Sequence, residues 1–166
     1  DPNGLCQWRR RYHWFYQFRP RGPEGVRWGH AVSDDLMHWK DLPPALYPRF
    51  DNACFSGSTL VEKDRVVGIY HSTGKGNQVV VSSDPLLLNW EKVTGEAVIP
   101  MESPDGEPLP YQVLDPCIWK KGDYYYSLSG GRKNEGPGGK PVRANFLFRS
   151  TDLANWEYMH PFVEDD

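Results

Sequence analysis

With 166 residues, 39% of them hydrophobic and 25% charged, the chain can bury one substantial core and has the composition of a globular domain. Its net charge of −3 argues against nucleic acid or an anionic membrane as partner, and no apolar run approaches the roughly 20 residues that span a bilayer. The three cysteines lack Cys-x-x-Cys spacing and the five histidines lack i, i+4 pairing, which argues against a zinc centre or disulfide framework; Cys6, Cys54 and Cys117 are expected as small buried hydrophobes.

The chain opens on Asp1-Pro2-Asn3-Gly4, a carboxylate on a turn, with no signal peptide in view. A short strand over 5–8, the basic run Arg9-Arg10-Arg11 as a solvated turn, and an aromatic strand over 12–18 follow. Helical periodicity is nearly absent along the chain. Its apolar segments are short, rich in Val, Ile, Tyr, Phe and Trp, and bounded by Gly, Pro, Asn and Asp, so the expected class is all-β.

One segment recurs. Gly29-His30-Ala31-Val32-Ser33-Asp34-Asp35-Leu36-Met37-His38-Trp39 is a strand, a Ser-Asp turn and a tryptophan. Gln78-Val79-Val80-Val81-Ser82-Ser83-Asp84-Pro85, with Trp90 beyond it, is a second copy, and Asn145 to Trp156 is a third. An aromatic or β-branched strand precedes each copy (12–18, 66–71, 124–128), a further short strand precedes that (5–8, 58–61, 117–119), and a last one follows the tryptophan at Leu42, Val93 and Met159. The units run over 1–54, 55–114 and 115–166. Four strands repeating every 50–60 residues or so is the pattern of a β-propeller blade; a two-sheet sandwich is the alternative, and it does not predict the triplicate. Propellers close with about 4–8 blades, so three blades are expected to be part of one incomplete propeller domain. A C-terminal segment or a second chain would complete it.

In a propeller the first strand of each blade lines the axis, so the leading residues meet at one mouth. Here they are Asp1-Pro2-Asn3-Gly4, Phe55-Ser56-Gly57-Ser58 and Asp115-Pro116. Asp1 and Asp115 converging with a Phe/Ser pair is a hydrolytic constellation, and paired carboxylates suit glycosyl transfer. The competing account is that each Asp merely caps its turn. Gln17 is polar in an otherwise aromatic strand, and its amide suits sugar hydroxyls. Trp39, Trp90 and Trp156 repeat in register and are expected to pack the blades.

These residues carry a resemblance. Asp1-Pro2-Asn3-Gly4, Tyr12-His13-Trp14-Phe15-Tyr16-Gln17-Phe18-Arg19-Pro20, the segment from Trp28 to Trp39, Leu42-Pro43-Pro44-Ala45-Leu46 and Phe55-Ser56-Gly57-Ser58 resemble glycoside hydrolase family 32, the invertases, inulinases, levanases and related β-fructosidases. The resemblance runs along nearly the whole chain. It implies a five-bladed propeller that hydrolyses β-fructosides with retention and needs no cofactor, its partner being a carbohydrate substrate. Asp1 matches the nucleophile and Asp115 the aspartate that stabilises the transition state. Asn3 of the first motif is expected to bind substrate, and Gln17, Phe55 and Ser56 match residues of the fructose subsite.

Three departures are visible. Leu114 stands before Asp115 where the family has arginine, Gly25-Val26-Arg27 replaces a subsite tryptophan, and the acid/base glutamate is expected beyond residue 166, Glu164 being a poor substitute. Without that proton donor the 166 residues alone are expected to be inactive. Two other functions fit the same residues, a non-catalytic carbohydrate-binding propeller and a related hydrolase of another glycan such as arabinan. Secretion suits a polysaccharide degrader, while a cytoplasmic sucrose hydrolase would read the same.

Overall fold

The computed structural model describes residues 1–48, 53–133, 136 and 139–163. Among them are thirteen strands and no α-helix, in three antiparallel sheets that follow one another along the chain. The first sheet orders β1 (Pro2–Trp8), β2 (Arg11–Phe18), β3 (Arg27–Ser33) and β4 (Lys40–Leu46) side by side. The second orders β5 (Cys54–Val61), β6 (Val66–Ser72), β7 (Gly76–Ser82) and β8 (Glu91–Lys92), and β9 (Ile99–Pro100) also pairs with β7. The third orders β10 (Gln112–Lys121), β11 (Tyr124–Lys133), β12 (Val142–Ser150) and β13 (Glu157–Pro161).

Apart from β9, neighbours in sequence are neighbours in each sheet, and the shortest links are tight turns. Arg9 and Arg10 join β1 to β2 with φ of 50° and 68°, the positive pair whose twist matches a two-residue hairpin. Arg9 and Arg10 are therefore the turn that the sequence implied, while Arg11 opens β2. The all-β class stands, the strands form three successive sheets, and β9 is an addition.

The sheets pack face to face. Trp8, Phe15 and Trp28 of the first meet Val66, Tyr70, Val80 and Leu87 of the second. From its other face the second sends Val67, Ile69 and Val79 against Val113, Ile118, Phe146, Phe148 and Leu153 of the third. Successive residues of β6 thus go to opposite neighbours, as a period of two requires, and every residue of that strand is buried.

The recurring Ser-Asp segment is one local device built three times. Ser33 Oγ accepts from the amide of Leu36, and Asp35 Oδ1 from those of Met37 and His38. Ser150 and Asp152 do the same for Leu153, Ala154 and Asn155, and Asp84 takes the amide of Leu86. Each turn then carries a leucine at positive φ, Leu36 (66°), Leu87 (51°) and Leu153 (69°). The carbonyl of that leucine accepts from the indole N–H of Trp39, Trp90 or Trp156.

Two expectations need correction. Cys6 and Cys54 are buried, but Cys117 is exposed, because Pro116 and Ile118 turn toward the second sheet and alternation sends Cys117 to the other face. Trp90 and Trp156 pack against the two cores, whereas Trp39 lies against Trp14, itself 36% exposed, on the outer face of the first sheet.

Candidate active site

Apart from Asp1, which precedes β1, the three leading groups are not turns ahead of strands but parts of strands. The pairing of β1 with β2 slips between Pro2 and Leu5, that of β5 with β6 between Cys54 and Gly57, and that of β10 with β11 between Val113 and Pro116. In all three the first strand carries one residue more than its partner, which is a β-bulge. A bulge bends the strand and re-aims the side chains on it. The residues so displaced are Asn3-Gly4, Phe55-Ser56 and Leu114-Asp115. Close backbone approach accompanies the distortion: a side chain at Gly57 would run into the Ile69 carbonyl, and one at Gly131 into the Gln112 carbonyl.

Hydrogen bonds tie the first two groups together. Gln17 donates its amide N–H to the Asp1 carbonyl at 2.9 Å, and its side-chain Nε2 to Ser56 Oγ at 2.8 Å. Phe55 is held from behind, its carbonyl accepting from Trp28 Nε1 at 2.7 Å. Asn3 is buried at 7% exposure, and neither its Oδ1 nor its Nδ2 has a partner among the described residues. A buried amide in that state costs about 1–3 kcal/mol, which a polar group reaching it would recover. Asp1 itself is exposed.

Asp115 occupies the equivalent bulge of the third sheet and is exposed, with half-buried Leu114 beside it. The structure thus brings Asp1, Gln17, Phe55 and Ser56 into one bonded group with Asn3 on the adjoining bulge. It sets Asp115 at the matching register position without a bond to them. Glu164 lies outside the described residues.

Next to Phe55 a cavity of about 300 Å³ is lined by Arg19, Glu24, Gly25, Val26 and Thr73. It includes the segment whose small side chains stand where the resemblance implies a tryptophan. Glu24 is paired with Arg27 there.

Sequence reasoning missed a polar group behind this row. His71 on β6, Asn77 on β7 and Ser129 on β11 are buried together between the second and third sheets. The available signal was His71-Ser72-Thr73, polar residues ending an apolar strand.

Three consecutive antiparallel sheets, each with a bulge near the start of its first strand, define the class as all-β. Residues 1–166 match the family model described as the glycosyl hydrolases family 32 N-terminal domain, and the chain belongs to that family. It is 31% identical to a levanase of Bacillus subtilis (strain 168) over 99% of this chain and 24% of that protein. It is 35% identical to beta-fructofuranosidase, insoluble isoenzyme CWINV6, of Arabidopsis thaliana, over 100% of this chain and 32% of that protein. Among solved structures, the GH32 beta-fructofuranosidase BmSUC1 of Bombyx mori superposes with a TM-score of 0.76 at 32% identity, over 100% of this chain and 35% of that one. Fructan 1-exohydrolase IIa of Cichorium intybus, in complex with 1-kestose, gives 0.81 at 28% identity, over 98% and 32%. The chain therefore spans about a quarter to a third of the length of these relatives.

Proposed function

We propose that the whole protein is a retaining glycosidase that cleaves β-fructosides of the sucrose, inulin or levan type. Membership in glycosyl hydrolase family 32 supports this, and solved relatives have been captured with sucrose and with 1-kestose. The observation that carries the assignment of residues is the shared bulge, which sets Asn3, Phe55, Ser56 and Asp115 at one register level of three consecutive sheets.

In this reading the Asp1 carboxylate attacks the anomeric carbon of the fructosyl unit while a glutamic acid outside residues 1–166 protonates the departing oxygen. Water then cleaves the fructosyl ester, with that glutamate now acting as base and the configuration retained. Nucleophile and acid/base would stand about 5 Å apart. Asp115 holds ring hydroxyls and offsets the positive charge that develops on the sugar. The Gln17–Ser56 pair and the Asn3 amide bind further hydroxyls, and Phe55 gives the ring a face. The cavity beside Phe55 has room for part of the leaving group. No step calls for a cofactor.

Replacing Asp1 with Asn in the full-length protein is expected to lower kcat on sucrose or inulin by at least about a thousandfold while the circular dichroism spectrum is unchanged. Undiminished turnover would sink the assignment. A second reading, sugar binding without hydrolysis, is favoured by Leu114, which puts an apolar side chain where a charge-assisted contact to the sugar would arise. Fructoside binding by calorimetry with no product released over hours would establish it.

We further propose that the three sheets are blades of a five-bladed propeller. Leu87 and Leu153, the turn leucines of the second and third sheets, lie in the cores that those sheets share with the sheet before them, at 0% and 1% exposure. Leu36 occupies the same place in the first sheet and is 45% exposed. A further sheet against that face would bury it.

A further inference from the structure

The interface between the second and third sheets is apolar over most of its extent. At the level of the bulges it changes character. His71 Nδ1 lies 3.2 Å from Asn77 Oδ1, and Asn77 Nδ2 lies 2.7 Å from Ser129 Oγ, forming a buried polar chain from β6 through β7 to β11. The orientation of the Asn77 amide sets its direction. The Asn77 amide N–H donates to the serine oxygen, so its carbonyl oxygen faces the imidazole and His71 carries its proton on Nδ1. Burial holds the ring's pKa below the ordinary histidine value and so favours the neutral form, in which Nε2 bears a lone pair.

The fold itself does not require a histidine there. Tyr16 pairs with Pro2 and Ser72 with Cys54 at the same step of the bulge, so His71 stands on β6 where Phe15 stands on β2. Phe15 fills the corresponding space of the first interface with a phenyl ring. A buried polar chain is the less stable filler unless it does something a phenyl ring cannot. Its far end points to what that is. Ser129 is the register partner of Pro116, the residue that follows Asp115 out of the bulge. Against the ring β7 contributes Asn77, and through it β11 contributes Ser129, both neutral. Asp115 on β10 is the one charge among the described residues that acts on it, and it favours the protonated ring.

We propose that His71 is a positioning residue for Asp115: the Asn77–Ser129 chain locks the imidazole, and the locked imidazole and its chain pin the bulge that presents the carboxylate. This rests on the role given to Asp115 above. It carries a pH consequence. As pH falls, His71 takes a proton on Nε2, and the cation formed beside Asp115 offsets the negative charge that the site uses.

Nitrogen-15 spectra of the full-length protein test the lock directly, since ring shifts report the tautomer and its titration. The expected result is the Nδ1–H tautomer, titrating below the ordinary histidine midpoint, with that midpoint falling further in Asp115→Asn. Kinetics test the consequence. His71→Phe, copied from the first sheet, is expected to lower kcat on a fructoside about tenfold with KM changed less than about threefold, and to move the acid limb of kcat/KM to lower pH. An Nε2–H tautomer, or a midpoint indifferent to Asp115→Asn, overturns the proposal whether or not the protein cleaves fructosides, and this arm does not depend on the phenylalanine variant folding. The expected spectra in a protein with no turnover would uphold the His71–Asp115 coupling and overturn its catalytic use.

Discussion

His13 and His30 meet in the interior of the first sheet, both at 0% exposure, with His13 Nδ1 3.0 Å from His30 Nε2 and the Phe15 ring 4.6 Å from that of His30. Burial first, and the proximity of His13 second, push His30 from 6.5 down to about 4, while Asp84 pulls weakly the other way. His13 is lowered too, by burial and by Arg11, against the Trp8 carbonyl and Asp84. The unfolded chain binds these protons near its ordinary histidine value and the folded chain only at lower pH. Stability is therefore full above about pH 6.5 and is lost as pH falls toward 4, by roughly 3 kcal/mol for His30 alone at about 1.4 kcal/mol per pH unit. Thermal midpoints between pH 7 and 4 should show that decline, and His30→Gln, though less stable at pH 7, should show a flatter one. A wild-type midpoint unchanged down to pH 4 would remove the pair from the account. The contrast with Gln17 shows what sequence can reveal at this scale. Gln17 was legible because an amide in an aromatic strand is anomalous, and it does bond to Ser56. His71 was not, because a lone histidine at a strand end looks the same whether it points to solvent or into an interface, and only the register of β6 against β7 decides.

Single elements carry the repeat. The Ser-x-Asp turns each satisfy backbone amides locally, and in the third the amide of Asn155 first, then its side chain, hold the Asp152 carboxyl down to about 2. What the turn delivers is a leucine in the left-handed region, a conformation costly for a branched side chain and acceptable when burial offsets it. Leu153→Ala should therefore destabilise by about 2–4 kcal/mol in urea denaturation. Leu153→Gly relieves the backbone but loses the same side chain, and should come out less destabilised than the alanine variant by up to about 1 kcal/mol. A glycine variant worse than alanine would mean that the positive φ is not a strain. These turns were legible as a repeat, since Ser-x-Asp and Leu-x-x-Trp recur in each, adjoining in the first and third copies and separated by Pro85-Leu86 in the second. The bulges were not. Asp-Pro-Asn-Gly reads as a turn on composition, and only pairing with Tyr16 shows that Pro2 already belongs to a strand. Gly4, Gly57 and Pro116, residues that disturb a ladder, were the available hint.

At the scale of the whole molecule, the three sheets repeat their contacts as well as their folds. Trp8 of the first sheet donates its indole N–H to the Asp84 carbonyl in the turn of the second, across the interface that Leu87 fills from the other side. At the two ends of the stack the same positions face outward. Leu5, Trp14 and Leu36 are exposed on the first sheet, and on the third Trp119 stacks on Tyr126 at 5.6 Å with Tyr124 exposed beside it. Faces so rich in aromatic surface are the kind that further blades cover. The repeat was legible in sequence, but the closure of the ring was not, because a period fixes what each unit looks like and not how many there are. Leu36 decides it. In the full-length protein, if another blade docks on the first sheet, Leu36→Ala should cost about 2–4 kcal/mol, the same as Leu153→Ala, because the two leucines then fill equivalent holes. If the face stays in water, the change should fall within about 0.5 kcal/mol of zero. The near-neutral result would mean that the stack does not close on its first sheet, and the five-bladed reading would fall with it.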